Sequence, residues 1–95
     1  MDKDFDKYHE IAEMLRVLAH PVRLCIVKNL LEKGECNVTH MQLCLETPQS
    51  TVSQHLQKLR SVGIIEGRRN GLEIYYRICN PKVADLINLL ISKDD

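Results

Sequence analysis

One segment of this 95-residue sequence combines a regular apolar spacing with an unusual polar face: Pro48-Gln49-Ser50-Thr51-Val52-Ser53-Gln54-His55-Leu56-Gln57-Lys58-Leu59-Arg60. Val52, Leu56 and Leu59 recur at i, i+4 and i+7, which is the spacing of one buried helix face. Thr47 is a suitable N-cap, and proline is well tolerated as the first helical residue. We therefore predict an amphipathic helix over residues 48–62.

Helical patterns also fill the chain before this segment. Between His20 and Pro21 the first pattern must break, because a residue that precedes proline avoids the helical region. Pro21 then suits the first turn of a new helix, and Gly34 is a typical helix stop. We predict three helices, at residues 5–19, 21–33 and 39–45.

After the segment, the apolar period changes from 3.6 to 2. Two strands are predicted, at residues 64–69 and 72–78, joined by Asn70-Gly71, which is a strong hairpin signal. A fifth helix over residues 82–92 closes the chain. The sequence thus predicts one domain over residues 1–95, mainly α with a β-hairpin wing, in the order of four helices, two strands and a helix. This arrangement is a winged helix-turn-helix.

The charge distribution favours a polyanionic partner although the formal net charge is zero. Residues 48–79 contain five lysines and arginines but only two acidic residues. Short hydroxyl and amide side chains on the helix can donate to and accept from base edges, and arginines on a hairpin can contact phosphate. We predict a double-stranded DNA interface formed by Gln49, Ser50, Thr51, Ser53, Gln54, His55 and Lys58 on the helix and by Arg68, Arg69 and Arg77 on the hairpin.

Two stretches carry a family resemblance. Leu18-Ala19-His20-Pro21-Val22-Arg23-Leu24 and the segment from Pro48 to Arg60 resemble the ArsR/SmtB family of metal- and stress-responsive repressors. Gly63-Ile64-Ile65 and Ile74-Tyr75-Tyr76-Arg77-Ile78 fit the same pattern. The resemblance implies a repressor that occludes a promoter, with Gln49, Ser50, Ser53 and Gln54 at the contact positions of the fourth helix.

The same resemblance implies a dimer held by the first and last helices. The last helix supports this independently, because its apolar stripe is wide for a terminal element. We expect a homodimer on a palindromic operator, with an interface of Ile11, Leu15, Val83, Leu86, Ile87 and Leu90.

The usual metal positions of the family hold other residues in this chain. Asn37 and Thr39 stand where metal-binding members have a cysteine pair, and the last helix offers only Asp85. Cys36, His40 and Cys44 fall at i, i+4 and i+8, a spacing that suits zinc or copper(I) only if one helix carries all three. We expect Cys36 to precede that helix, and we predict neither a metal nor another cofactor.

Thiol sensing and a second function class stay open. Cys25, Cys36, Cys44 and Cys79 could serve a redox-responsive repressor, and either a Cys25–Cys79 or a Cys36–Cys44 bridge is conceivable. No secretion signal or membrane span is visible, so we expect a cytoplasmic location with reduced thiols. The alternative to DNA binding is a protein-interaction module of the same shape, and no enzyme constellation is found.

Overall fold

The computed structural model describes residues 3–91 and contains five helices and one small antiparallel sheet. The prediction of a mainly helical fold with a β-hairpin wing is confirmed. Helix α1 spans Phe5–Leu18 and α2 spans Pro21–Lys33. Between them His20 caps α2, because its Nδ1 accepts a hydrogen bond of 3.1 Å from the Val22 amide.

The helix-turn-helix unit consists of α3, Val38–Leu45, and α4, Gln49–Ser61. Asn37 begins α3, since its side-chain oxygen accepts from the His40 amide at 2.8 Å. Glu46 ends α3 with a φ of 52°, a left-handed conformation that is rare for a residue other than glycine. This residue turns the chain toward α4.

The sheet contains one strand that the sequence did not predict. Strand β1, Cys36–Asn37, pairs with β3, Glu73–Ile78, which also pairs with β2, Ile65–Asn70, so the order is β1-β3-β2. The two-residue loop of the hairpin is Gly71-Leu72, and not Asn70-Gly71 as predicted. Gly71 has a φ of 67° at the first central position, as a type II′ turn requires.

Helix α5, Pro81–Leu90, is capped by the side chain of Asn80 and begins one residue before its predicted start. Ser92, the last residue predicted for it, lies outside the described residues. Val83 and Ile87 are fully buried in the core of their own chain, together with Ile26, Leu56 and Leu59. The prediction that Val83 and Ile87 face a second copy is therefore corrected, because no surface of either side chain is left to contact one.

None of the helices in residues 3–91 combines the length and the apolar character that a membrane crossing demands.

Candidate nucleic-acid interface

Helix α4 has one face in the core and the opposite face open to solvent. Val52, Leu56 and Leu59 are at most 1% exposed and fix the helix against the other elements. Of the residues predicted to contact DNA, Gln49, Ser50, Gln54 and Lys58 are exposed, and Thr51 and Ser53 are half-buried. The face predicted to contact DNA is thus not covered by its own chain.

The start of α4 differs in detail from the prediction. Pro48 occupies the N-cap position, and no side chain caps the helix. Thr47, predicted as the cap, instead donates from its hydroxyl to the Leu45 carbonyl at 2.9 Å. The first amides of α4 therefore carry no side-chain acceptor, and such amides at a helix N-terminus favour anionic groups.

His55 lies at the junction of α4 with α2 and not on the open face. Its Nδ1 accepts from Arg23 Nε at 3.1 Å, and its ring lies 4.6 Å from the ring of His20. Burial lowers the pKa of His55, and the positive charges of His20 and Arg23 lower it further. Arg23 also donates to the Val17 carbonyl at 3.2 Å, so this junction ties α4 to the end of α1.

Two of the three arginines predicted for DNA contact are ion-paired within the chain. Arg68 donates to both oxygens of Glu35, at 2.7 and 3.4 Å, and Arg77 Nε donates to Glu66 at 2.6 Å. The hydrogen bond from Arg68 lowers the pKa of Glu35. Among residues 3–91 no acidic side chain pairs with Arg69, so its guanidinium remains available to a polyanion.

An open groove joins α4 to the wing, the β2–β3 hairpin. Gln49 and Ser53 line it on the side of α4, and Leu72, Glu73 and Tyr76 line it on the side of the wing. Leu72, at the wing tip, is fully exposed. The open face of α4 and the wing therefore border one continuous depression.

A second group of exposed side chains, which we call the α1–α5 apolar surface, consists of apolar residues on the first and last helices. Ile11 is 39% exposed and Leu15 is 45% exposed on α1, while Leu89 and Leu90 are 83% and 65% exposed on α5. Leu86 is half-buried. The sequence prediction named four of these five residues and missed Leu89, because its position in the helix is not in register with the stripe.

Comparison with known proteins places the chain in a family. A family model described as a helix-turn-helix domain matches residues 18–68. The transcriptional repressor PagR of Bacillus anthracis is 52% identical over 79 residues, which cover 83% of this chain and 79% of PagR. The chain belongs to the ArsR/SmtB family of transcriptional repressors. The biofilm growth-associated repressor of Xylella fastidiosa is 44% identical over 84 residues, 88% of this chain and 73% of that protein.

Solved structures of ArsR/SmtB relatives have the same fold. The crystal structure of PagR matches with a TM-score of 0.84 at 47% identity, over 92% of this chain and 99% of that one. A winged helix-turn-helix domain from Mycobacterium bovis, described as homodimeric in its NMR structure, matches with a TM-score of 0.84 at 34% identity. That match covers 95% of this chain and 82% of the other.

One of the positions at which metal-binding members have a cysteine, Asn37, has a structural role in this chain. Asn37 caps α3 and also donates from its amide to Glu73 at 3.2 Å. Cys36 lies in β1, before α3, so the helical spacing of Cys36, His40 and Cys44 is broken. Among residues 3–91 no three side chains of histidine, cysteine, aspartate or glutamate are grouped to hold a metal ion.

All four thiols are free, and their surroundings differ. Burial raises the pKa of Cys36 and also that of Cys79, whose Sγ donates to the Gly63 carbonyl at 3.4 Å. Cys25 accepts a hydrogen bond of 3.4 Å from Asn29. Cys44 stands beside His40 on α3. The bridges considered from the sequence, Cys25–Cys79 and Cys36–Cys44, are not formed.

Proposed function

We propose that this protein represses transcription as a homodimer that inserts α4 into the major groove of a palindromic operator. One observation carries the proposal: α4 is held by an apolar face with almost no exposure, while its opposite face is polar and open. A helix that is fixed on one side and free on the other can present side chains to base edges in a defined orientation.

The residues proposed to read sequence are those on the open face. Gln54 and Gln49 carry amides, which can form paired hydrogen bonds with adenine, and Ser50 and Ser53 can contact several bases or phosphates. Lys58 and the first amides of α4 are suited to the phosphate backbone. His55 acts indirectly in this proposal, because its Nδ1 is already occupied by Arg23.

The wing contributes charge through Arg69. Arg68 and Arg77 would have to leave Glu35 and Glu66 before they could contact phosphate. When an arginine exchanges one anionic partner for another, the gain in binding free energy is smaller than when an unpaired arginine forms a new ion pair. Arg69 is therefore proposed as the principal phosphate contact of the wing.

The α1–α5 apolar surface is proposed as the dimer interface, with Ile11, Leu15, Leu86, Leu89 and Leu90 as its members. Two-fold symmetry places two copies of α4 about 10 base pairs apart, or at a multiple of that distance. The Mycobacterium bovis relative is described as homodimeric, which supports the same assembly here. The proposal assigns no chemical reaction to the chain, and it places the protein in the cytoplasm.

The test selects an operator from random double-stranded DNA with the wild-type protein and then measures affinity by fluorescence anisotropy across a salt series. We expect Gln54→Ala to lower operator affinity by about 1–3 kcal/mol and to relax base preference at one position. Arg69→Ala should weaken binding to every DNA sequence by a similar factor. It should also reduce the slope of log affinity against log salt concentration by about 1. Lys82→Ala is the matched control, because Lys82 is exposed on α5, outside α4 and the wing.

The competing function, a protein-interaction module, makes the opposite prediction. If no sequence is enriched and no DNA is bound at low salt, the repressor proposal fails. If an operator is bound but neither Gln54→Ala nor Arg69→Ala changes the affinity, the assignment of the interface is wrong.

A further inference from the structure

A polar cleft lies beside the open face of α4 and contains an arginine that the proposed interface does not use. We call it the α2–α4 cleft, and it is lined by Arg23 of α2 and by Gln54, His55, Gln57, Lys58 and Ser61 of α4. Within residues 3–91 no acidic side chain lines it, so the cleft carries positive charge. Gln54 and Lys58 also belong to the open face of α4. The cleft is therefore continuous with the proposed DNA-binding surface.

Hydrogen bonds to neutral acceptors fix the side chain of Arg23 in this cleft. Its Nε donates to Nδ1 of His55 at 3.1 Å, and its Nη1 donates to the Val17 carbonyl at 3.2 Å. Every nitrogen of a guanidinium is a donor, so the Nη2 protons are left for a further acceptor. No carboxylate pairs with Arg23 in the described part of the chain. The guanidinium is thus held in place without being neutralised.

His55 maintains this orientation because its ring remains an acceptor. Burial lowers the pKa of His55, and the positive charges of His20 and Arg23 lower it further. With Nδ1 accepting from Arg23, the proton of the neutral ring lies on Nε2. Near neutral pH the ring therefore binds Arg23 and does not repel it. In this arrangement His55 is a positioning residue for Arg23.

Arg23 differs from the paired arginines of the wing in what a phosphate contact requires. Arg68 and Arg77 must leave carboxylates before they can bind DNA. Arg23 gives up no ion pair, because its Nη2 can donate while Nε and Nη1 keep their present acceptors. A guanidinium that is already oriented loses little conformational entropy on binding. Arg23 is therefore better suited to a phosphate than either arginine of the wing.

We propose that the α2–α4 cleft holds a backbone phosphate of the operator, with Arg23 and Lys58 as its ligands and His55 as the residue that orients Arg23. This rests on the proposed function, in which α4 enters the major groove and the residues beside it meet the flanking strand. The cleft is open to solvent, so a free phosphate ion would stay largely hydrated there. A duplex instead holds its phosphate in the cleft through its other contacts, which raises the effective concentration. The occupant is therefore DNA.

The first experiment compares Arg23→Gln with Arg16→Gln by fluorescence anisotropy on the selected operator and on an unrelated duplex. Arg16 is the matched control, because it pairs with Glu13 on α1 and does not line the cleft. Arg23→Gln should lower the affinity for both duplexes by a similar factor of about tenfold, and should reduce the slope of log affinity against log salt concentration by about 1. Arg16→Gln should change neither quantity. Thermal unfolding establishes that each variant is folded under the assay conditions.

A second experiment locates the phosphate and gives an answer even if Arg23→Gln is less stable. Operators that carry a neutral methylphosphonate at successive backbone positions are titrated with the wild-type protein and with Arg23→Gln. At one position in each half-site the neutral group should weaken binding by the wild type but not by the variant, which is the coupling expected of a direct contact. His55→Leu should reduce this coupling, and His55→Gln, which still offers an acceptor to Arg23, should restore it.

A folded Arg23→Gln variant with the wild-type affinity and salt slope would overturn this proposal and leave the repressor function intact. A methylphosphonate scan in which no position is coupled to Arg23 would do the same. Calorimetric binding of millimolar inorganic phosphate to the wild type, lost in Arg23→Gln, would overturn the assignment of the cleft to DNA. If the wild type binds no duplex at all, the proposed function itself fails, and the phosphate site fails with it.

Discussion

Helices α1 and α4 are nearly equal in length, at 14 and 13 residues, and both are amphipathic. Their apolar faces differ in how far the chain itself buries them. In α4 the apolar residues are fully buried within the chain. In α1 only Val17 and Leu18, at its C-terminal end, are buried, while Ile11 and Leu15 stay exposed. The comparison indicates that one chain suffices to position α4, whereas α1 keeps apolar residues that its own chain does not cover.

The largest effect is expected from a cavity under α4. Leu56→Ala should lower the free energy of unfolding by about 2–5 kcal/mol, because Leu56 is 1% exposed and its removal leaves a space that the core cannot fill. Urea denaturation measures this loss. Leu43→Ala is the control: Leu43 is 73% exposed on α3 and should lose less than about 0.5 kcal/mol. Equal losses would mean that α4 is not held by its own chain.

A charge placed on α1 tests whether its exposed apolar residues contact a second copy of the chain. Leu15→Glu should raise the dissociation constant of the proposed dimer by about 30-fold, or about 2 kcal/mol, because a carboxylate would be buried without a partner. Sedimentation velocity across a concentration series measures it. Glu13→Ala, on the polar side of α1, should leave the dissociation constant unchanged. If Leu15→Glu leaves the dissociation constant unchanged, α1 is not part of the interface.

The wing, like α4, is packed tightly against residues of its own chain. A Cβ added at Gly67 would lie 2.9 Å from Cγ2 of Ile74 and 3.2 Å from Cε1 of Tyr76. Gly67→Ala should therefore cost about 1–2 kcal/mol of stability through overpacking, as thermal unfolding would register. Arg69→Ala, on the same strand but exposed, should stay within about 0.5 kcal/mol of wild type. A neutral Gly67→Ala would show that the wing is loosely packed.

The smallest expected effect concerns pH at the junction of α4 with α2. Folding lowers the pKa of His55 below its ordinary value of 6.5, so the unfolded chain binds the proton more readily. The stability that depends on neutral His55 is thus complete above 6.5 and declines as the pH falls below it. Unfolding free energies at about pH 7.5 and pH 5.5 measure this decline.

His55→Gln tests whether this pH dependence comes from His55. Glutamine can still accept from Arg23 but does not titrate, so the pH dependence should become shallower in the variant. A variant with the wild-type pH dependence would assign the effect to other groups.

The order of the helices and the presence of the hairpin could be predicted because they follow from local patterns. The spacing of Val52, Leu56 and Leu59 and the break at His20-Pro21 need no knowledge of the rest of the chain. Strand β1 could not be predicted in this way. It has only two residues, too few for a period, and it exists because Cys36 pairs with Tyr76 far along the sequence.

An error of one residue in the predicted hairpin turn changes which side chains are expected to lie opposite each other. Asn70-Gly71 and Gly71-Leu72 are both plausible turns, and a shift of one residue in the loop moves the strand register by two. With the predicted turn, Glu66 would lie opposite Tyr75, but in the structure it lies opposite Arg77 and pairs with it. The DNA-binding prediction for Arg77 therefore lacked the information that an acid stands beside it.

The prediction for α5 is corrected at two of its four interface residues for a related reason. An apolar stripe indicates that residues are buried, but it does not indicate whether they are buried in their own chain or against a copy. Val83 and Ile87 are in the core, while Leu89 and Leu90 are exposed. Only the packing of α5 on the other elements separates these two groups.

The contact between Arg68 and Glu35 makes the wing a tethered element, because Glu35 belongs to the connection that follows α2. A tether built from two exposed charges weakens as ions accumulate around it. Added salt would then act twice, once by screening the duplex and once by weakening the Arg68–Glu35 ion pair. The ion count extracted from a binding titration would in that case combine counterions released from DNA with ions taken up by this pair of side chains.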